Sequence, residues 1–221
     1  MKINFYIKLF FTFILFAAFL LTFSLFSFEK FYKKDIEDKN ISTIFSSLQD
    51  TQEMFDEYKN SSDKILAEIK KSSALKNYLQ KGDDKYLKEL ILNLKATKPE
   101  LHSFRIIDFN ANEKFKIYFD KYKNIKEDFN LNNISKSELF KEILSSNKSQ
   151  IYHSNIYLLK KDNEIEFPLV PLQSYIVKIK DFFIILDIDI KKVFEKIQRR
   201  SIFYTYVLDE KGNFFLHENS K

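Results

Sequence analysis

Cysteine is absent from this chain of 221 residues. Its absence excludes thiol catalysis, disulfide bonds and every zinc site built on cysteine. Glycine and proline are scarce, with two and three copies, which argues against Gly-Ser or Pro-rich linkers and favours short polar turns. No P-loop, G-x-S-x-G or dinucleotide-binding glycine pattern occurs, so we expect neither an enzyme nor a cofactor in these residues.

Arginine is also rare, since it occurs only at positions 105, 199 and 200. Lysine supplies the rest of the 36 basic residues, and 31 acidic residues are interspersed with them, so the net charge of +5 is spread along the chain. No basic block or glycine-aromatic motif occurs, which argues against a nucleic-acid partner.

The three histidines, His102, His153 and His217, are far apart in the sequence, with no HExxH motif. We interpret them as ordinary structural histidines and expect no metal site. Asp187 and Asp189 would project from one face of a strand, as paired catalytic carboxylates do. The preferred explanation is a strand end followed by a helix cap.

A run of twenty residues from Leu9 to Phe28 has no charge and no proline. As a helix it would extend about 30 Å, which predicts a membrane-spanning helix at 9–28 after a cytoplasmic tail at 1–8. A cleaved signal peptide is the alternative, because Lys2 and Lys8 form a basic start. The run is longer than the roughly 7–15 apolar residues of such peptides, and no cleavage site with small residues follows it. Lysines flank both ends, so the positive-inside rule does not decide the orientation.

Apolar residues continue at helical spacing beyond this run. We predict a stalk helix at 29–60 and, after the cap-type residues at 61–63, a second helical segment that ends near Lys71. Two further amphipathic pieces follow, one at 73–80 and one that ends before Pro99. Together they predict a helical stalk that folds back on itself.

At Leu101 the periodicity changes to that of strands. The β-rich runs 104–108 and 113–119 flank Asn110-Ala111-Asn112, which predicts a hairpin whose asparagines tolerate the positive φ of the turn. Apolar and polar residues alternate in the second run, so one face should be buried and the other exposed to water.

Ser135 and Glu138 resemble a capping box that opens a short helix at 136–144. Three strand candidates follow, at 151–159, 175–180 and 182–188. The last one is almost continuously apolar and should be a central strand. Pro168 and Pro171 place the connection between the first two at an edge or in a loop.

The end of the chain predicts a helix and a second hairpin. Asp189 should cap a helix that continues through Ile197, and the strand-like runs 203–208 and 214–217 flank the turn residues 209–213. A two-stranded hairpin is marginal alone in water, so this one needs partners to pack on.

The order of these motifs carries a family resemblance. After the anchor and the long helix come FRIID at 104–108, EKFK at 113–116, IYHS at 151–154 and, past two prolines, YVLDEKGN at 206–213. This order resembles the double-Cache sensor domains. They are the PAS-like extracytoplasmic regions of bacterial histidine kinases, cyclic-dinucleotide enzymes and chemoreceptors.

The resemblance implies an α+β fold: a transmembrane helix, a long helical stalk, a PAS-like antiparallel sheet module and the start of a second module. Residues 61–190 would form the membrane-distal sensor module, and residues 191–221 a connecting helix and an incomplete membrane-proximal module. We therefore expect a receptor, or a fragment of one, truncated before its output domain. The alternative is a short natural protein whose terminal hairpin packs on the helix that follows Asp189.

In the implied fold, ligands bind over one face of the distal sheet. The polar or aromatic residues that the sequence places on its strands are Arg105, Tyr118, Tyr152, His153 and Tyr175. Arg105 is the strongest candidate, because its planar guanidinium suits a ligand carboxylate. The alternative for Arg105 is a surface ion pair with Asp108 or Glu113.

The sequence thus favours the ligand-sensing region of a bacterial receptor, anchored once in the inner membrane with its bulk in the periplasm. The partners would be a small-molecule ligand or a periplasmic binding protein, the membrane, and a second copy in a parallel homodimer through the stalk. Ligand binding would move the stalk helix against the membrane. The competing hypothesis is a membrane-tethered structural module that docks a protein partner and binds no small ligand; a sheet face filled only with Phe and Ile would favour it.

Overall fold

A computed structural model describes residues 5–120, 125–127, 131–145, 151–161, 164–165, 167, 169–200, 207–208, 212 and 214–216. Lys2, Pro168 and His217 lie outside the described residues, as do 203–206 of the last predicted hairpin. The chain divides into two units, Met1–Gln52 and Glu53–Lys221.

The described residues form helices and strands as the sequence predicts for an α+β chain. The helices are α1 (Phe5–Lys71), α2 (Ser73–Lys81), α3 (Lys85–Thr97), α4 (Glu138–Ser145) and α5 (Lys191–Arg200). The strands are β1 (Leu101–Asp108), β2 (Glu113–Phe119), β3 (Ile125–Glu127), β4 (Tyr152–His153), β5 (Tyr157–Leu158), β6 (Lys160–Lys161), β7 (Glu164–Ile165), β8 (Pro171–Ile179), β9 (Phe182–Asp189), β10 (Val207–Leu208) and β11 (Phe214–Leu216).

The first unit consists of the N-terminal part of α1. Among the described residues, α1 is the one helix long and apolar enough to cross a membrane. The helical state predicted for 9–28 is confirmed, and the large apolar side chains of this segment are exposed.

Helix α1 continues through the position where a new helical segment was predicted. At 61–63 there is no break, and the Ser62 hydroxyl donates to the Tyr58 carbonyl one turn earlier (2.9 Å) instead of capping a new helix. The helix ends at Lys71 because Ser72 adopts an extended backbone and its hydroxyl accepts the Leu75 N–H (3.1 Å) as the N-cap of α2.

The main sheet has the strand order β3-β2-β1-β9-β8-β4, with β5 also on β8, and each of its pairs is antiparallel. The prediction of a central strand at 182–188 is confirmed, because β9 lies between β1 and β8. Pro171 is the first residue of β8, a position where proline is tolerated in a sheet.

The β1–β2 hairpin is confirmed, but its turn differs from the prediction. Ala111, rather than an asparagine, has the positive φ of 65°. The Asp108 carboxylate stabilises this turn by accepting the N–H groups of Asn110 and Asn112, each at 2.9 Å. The prediction that an asparagine has the positive φ is wrong. With the N–H groups of both asparagines bound to Asp108, Ala111 is the residue that adopts this conformation.

Helix α4 begins at Glu138, two residues later than predicted. Its N-terminal hydrogen bond comes from Ser137, whose hydroxyl accepts the Phe140 N–H at 3.1 Å. Ser135 instead donates its own N–H to the Asn133 side chain at 3.0 Å. Ser137, and not Ser135, is therefore the N-cap of α4.

The two faces of the sheet have different partners. On the first, which we call the helix face, side chains of the sheet pack on α1, α2 and α3. Its buried residues include Leu66, Ile69, Leu75, Leu87, Ile91, Phe104, Ile106, Phe115, Ile117, Tyr175, Val177, Ile184 and Leu186. The opposite face carries a smaller apolar cluster, in which Phe140 and Ile143 of α4 pack on Ile107, Phe183 and Ile185. Polar side chains of β1, β8 and β9, among them Ser103, Ser174 and Asp187, also lie on that face.

Helix α5 follows the sheet as predicted, and the Asp189 carboxylate accepts the Lys191 N–H at 2.8 Å. Its apolar side packs on Phe55 and Tyr58 of α1, and Val207 of β10 joins the same cluster. The strands β10 and β11 pair with each other in a two-stranded sheet. After α5, the described residues thus form only this short two-stranded sheet.

Candidate functional site

Two neighbouring rows of paired residues carry polar side chains on the face opposite to the helix face. In one row Ser103, Asp187 and Ser174 lie side by side on β1, β9 and β8. Arg105 belongs to the next row on β1. Tyr157 reaches the same place from β5. We call Ser103, Arg105, Tyr157, Ser174 and Asp187 the polar cluster.

Asp187 is the centre of the polar cluster, and only 3% of its surface is exposed. Its carboxylate accepts hydrogen bonds from the hydroxyls of Ser103, Ser174 (2.5 Å) and Tyr157 (3.0 Å). Nη2 of Arg105 lies 2.9 Å from Oδ1 and 2.8 Å from Oδ2. The charge is therefore fully hydrogen-bonded within the protein.

Arg105 is not fully satisfied in the same way. Its Nη1 lies 3.8 Å from Oε1 of Glu113, a residue that is itself buried. Its Nε is buried and has no hydrogen-bond partner within the part of the chain that the structure describes. A buried donor without an acceptor is costly, and burial of this Nε is not offset by a hydrogen bond to any described residue.

The two charges keep each other ionised. Burial by itself would raise the pKa of Asp187, but the charge of Arg105 and the hydrogen bonds from Arg105, Ser103 and Ser174 outweigh it and hold this pKa below its usual value. Burial would lower the pKa of Arg105, but the charge of Asp187 outweighs it and raises that pKa. Burial and the charge of Asp187 also raise the pKa of Tyr157, which stays a neutral donor.

Three of the five predicted site residues share the face of the polar cluster. Arg105 belongs to the cluster, and Tyr118 lies opposite Ser103 on β2. Tyr152 pairs with Ile176 at the other end of this face, and its hydroxyl donates to the Glu142 carboxylate at 3.2 Å. Of the two partners in the alternative for Arg105, Glu113 lies within ion-pair distance at 3.8 Å, although this pair is largely buried rather than on the surface. Asp108 binds its turn and Lys114 instead.

His153 and Tyr175 lie on the helix face instead. Tyr175 is buried there with 1% exposure, and the two rings contact each other with centroids 5.0 Å apart. Nε2 of His153 lies 2.7 Å from the Asp63 carboxylate of α1. Consecutive strand residues point to opposite faces, so Tyr152 and His153 cannot contact one ligand on one side of the sheet.

Sequence reasoning missed most of the polar cluster. It assigned Asp187 to a strand end and overlooked Ser103, Tyr157 and Ser174. One signal was present: Asp187 is a single charge near the end of an almost continuous apolar run. Buried charges require partners, so that position pointed to a polar site within the sheet.

Among the described residues, no group of three or more His, Asp or Glu side chains could hold a metal ion. His102 lies on β1 and His153 on β4, while His217 is outside the described part. The polar cluster offers hydroxyl, guanidinium and carboxylate groups, which suit a polar organic solute better than a cation.

Comparisons with known proteins give structural neighbours only. No protein-family model matches the sequence, and no curated protein matches it. The structure is similar to a domain of a sensory box/GGDEF family protein from Vibrio parahaemolyticus, with a TM-score of 0.65 and 19% identity, over 84% of this chain and 73% of that chain.

Two further neighbours are receptor domains. The first is the extracellular domain of a histidine kinase, with a TM-score of 0.59 and 20% identity, over 75% of this chain. The match covers 61% of that domain. The second is the ligand-binding domain of the Campylobacter jejuni chemoreceptor Tlp3 in complex with L-valine, with a TM-score of 0.60 and 13% identity, over 85% of this chain and 74% of that chain. The chain therefore has the fold of bacterial extracellular sensor domains, as the resemblance of its motifs implied.

Proposed function

We propose that the chain is the extracytoplasmic sensing region of a membrane-anchored receptor and that it binds a small solute at the polar cluster. The largely buried pair of Arg105 and Asp187, with a guanidinium nitrogen that has no hydrogen-bond partner among the described residues, carries this proposal. In this assignment residues 61–190 form the sensor module, and 191–221 connect it to a further module.

Stability alone does not account for the pair. Replacing a buried ion pair by apolar residues of similar volume is often neutral or stabilising by about 1–4 kcal/mol. A pure scaffold would gain from filling this face with Phe and Ile, as on the helix face. The polar face therefore supports the sensor over the docking module.

The chemistry of the cluster indicates the class of solute. Arg105 offers a planar guanidinium whose Nε lacks an acceptor, and a ligand carboxylate would supply one. Asp187 and the hydroxyl oxygen of Tyr157 would accept hydrogen bonds from a ligand ammonium group, if the ligand displaced part of the hydrogen bonding within the polar cluster. A small amino acid or another carboxylate fits both requirements, and Tlp3 is a neighbour that holds L-valine. A carrier protein could deliver the solute.

Ligand binding can be tested with the full chain in detergent. Thermal-shift screening of amino acids and small carboxylates should yield a stabilising solute. The variant Arg105→Met/Asp187→Leu keeps the volume of the pair and removes its charge, and should weaken binding roughly 10- to 100-fold because a charged hydrogen bond is lost.

The matched control is Lys88→Met/Asp84→Leu, a corresponding change at the ion pair between Lys88 of α3 and Asp84, the residue before that helix, which joins Nζ and Oδ2 at 2.9 Å. It should leave the affinity unchanged. A solute that binds the Arg105→Met/Asp187→Leu variant within twofold of the original chain would refute the assignment.

The anchor and the assembly form the second part of the proposal. The apolar helix of residues 9–28 crosses the inner membrane once, with residues after it in the periplasm. In the first unit, α1 exposes Ile41, Ile44 and Leu48, which fall on one helix face. Two adjacent anchors would bring such stripes together in a parallel homodimer.

Single cysteines test both points, because the chain has no thiol of its own. Cysteine at position 41, 44 or 48 should form disulfide-linked dimers in membranes, whereas Ser46→Cys, on the opposite side of α1, should form far fewer. In intact spheroplasts treated first with a reductant, a membrane-impermeant maleimide should label all four. Equal cross-linking at position 46 would contradict the dimer, and protection from the maleimide would contradict the topology.

A further inference from the structure

A second feature lies on the other side of the sheet from the polar cluster. It is an open depression of about 430 Å³, which falls within the range of roughly 300–1,000 Å³ typical of small-molecule sites. Three elements meet there, α1, α2 and β8, together with Ile151, the residue before β4. Its lining residues are Ala67, Lys70, Lys71, Lys76, Ile151 and Val177.

The lining has two chemically distinct parts. Lys70, Lys71 and Lys76 form what we call the basic rim, and all three are exposed. Ala67, Ile151 and Val177 form the apolar floor, where Val177 is buried and the other two are half-buried. Positive charge and apolar surface therefore face the same space.

None of the described residues that line the depression is acidic. None of its lysines forms an ion pair or side-chain hydrogen bond within the described residues. The sequence has four lysines and no acidic residue between Glu68 and Asp83. Other lysines of the chain pair with carboxylates, such as Lys114 with Asp108 at 3.1 Å and Lys192 with Glu100 at 2.9 Å.

Helix stability accounts for the position of two lysines of the basic rim but not for the third. Lys70 and Lys71 lie in the last turn of α1, where positive charge interacts favourably with the helix dipole. Lys76 lies in the first turn of α2, which has no acidic residue, and there the same charge is unfavourable. An anion among the three lysines would relieve both this effect and their mutual repulsion.

We propose that the depression binds a small organic anion, with its charged group among the basic rim and its apolar part over the apolar floor. The site is separate from the polar cluster, because Val177 lies on the helix face and Ser174 and Asp187 on the opposite one. The inference therefore does not depend on the proposed function.

The probe for this site is 4-fluorobenzoate, an aromatic carboxylate whose binding to the full chain in detergent can be followed by ¹⁹F NMR. It should bind saturably and weaken when salt is raised, since exposed charges are screened. The neutral 4-fluorobenzamide, which has the same ring, should not bind at the same concentrations. Equal binding of the two compounds would overturn the proposal.

Variants locate the site. Lys70→Gln/Lys71→Gln/Lys76→Gln should weaken the anion roughly tenfold, because each exposed charge pair contributes only a small factor. The control Lys59→Gln/Lys64→Gln/Lys85→Gln removes the same charge from exposed positions outside the depression and should keep the affinity. An affinity that falls equally in both triple variants would reduce the effect to net charge and overturn the site.

Ala67→Leu provides the independent check. Leucine is a good helix former and would fill the apolar floor, so the fold should be retained while the space for the ring is lost. Binding of 4-fluorobenzoate should fall at least as much as in the basic-rim variant. Unchanged affinity in Ala67→Leu, with thermal unfolding also unchanged, would show that the anion binds elsewhere.

Discussion

Replacing Asp187 with alanine should lower the free energy of unfolding by about 3–5 kcal/mol, as expected when one partner of a buried ion pair is removed. Among the described residues, the variant leaves Glu113, at 3.8 Å, as the remaining carboxylate within ion-pair distance of the largely buried Arg105 guanidinium. It also removes the carboxylate that accepts hydrogen bonds from the hydroxyls of Ser103 and Ser174. Urea titration of the full chain in detergent, followed by circular dichroism, measures the loss.

Two further variants separate the charge from the packing. Arg105→Met/Asp187→Leu should recover most of the lost stability, because neither buried charge is then left alone. Glu100→Gln, which breaks the partly exposed pair with Lys192, should change the free energy of unfolding by less than about 1 kcal/mol. A loss in the double variant as large as in Asp187→Ala would mean that shape, rather than charge, sets the stability of this site.

The ion pair of Arg105 and Asp187 should make the free energy of unfolding depend on pH. The pKa of Asp187 in the folded chain lies below the ordinary value of 3.8, so the folded state favours the ionised carboxylate. Its contribution to stability is complete above that ordinary value and is lost as the pH falls toward the folded pKa. Burial raises the pKa of Asp189, which acts in the opposite direction. The acid-induced loss of stability should therefore be smaller in Arg105→Met/Asp187→Leu than in the original chain.

Leu66→Ala should cost about 2–5 kcal/mol of unfolding free energy, the usual range for deleting a fully buried leucine side chain. Leu66 belongs to α1, has no exposed surface, and packs in the cluster that joins α1–α3 to the helix face of the sheet. The variant thus measures how strongly the C-terminal part of α1 is held by the sensor fold.

Leu92→Ala is the matched control, since it makes the same change on α3 at a side chain that is 45% exposed. It should cost less than about 1 kcal/mol, because little apolar surface is returned to water and alanine favours the helix. Equal losses in the two variants would show that α1 is not part of the core that the structure describes.

The periodicity of the sequence determined the longest helices and strands. The strand predicted at 151–159 is wrong, because β4 and β5 are separate short strands there, and β8 begins at Pro171 rather than at 175. Alternation in 113–119 and the continuous apolar run at 182–188 predicted a half-buried and a central strand, because burial on one or two faces imposes these patterns locally. The order of the motifs was sufficient to indicate the sensor fold. Caps and turns were less predictable, since Ala111 and Ser137 were chosen by competition among neighbouring polar groups.

The composition of the candidate site depended on the tertiary structure. Arg105 and Asp187 are 82 positions apart, and His153 is 90 positions from Asp63, so no local pattern connects them. Pairing of β1 with β9 brings the two charges into contact, and the alternation of β4 sends Tyr152 and His153 to opposite faces. A sequence shows which residues are able to bind a polar solute, but the strand register decides which of them share one side of the sheet.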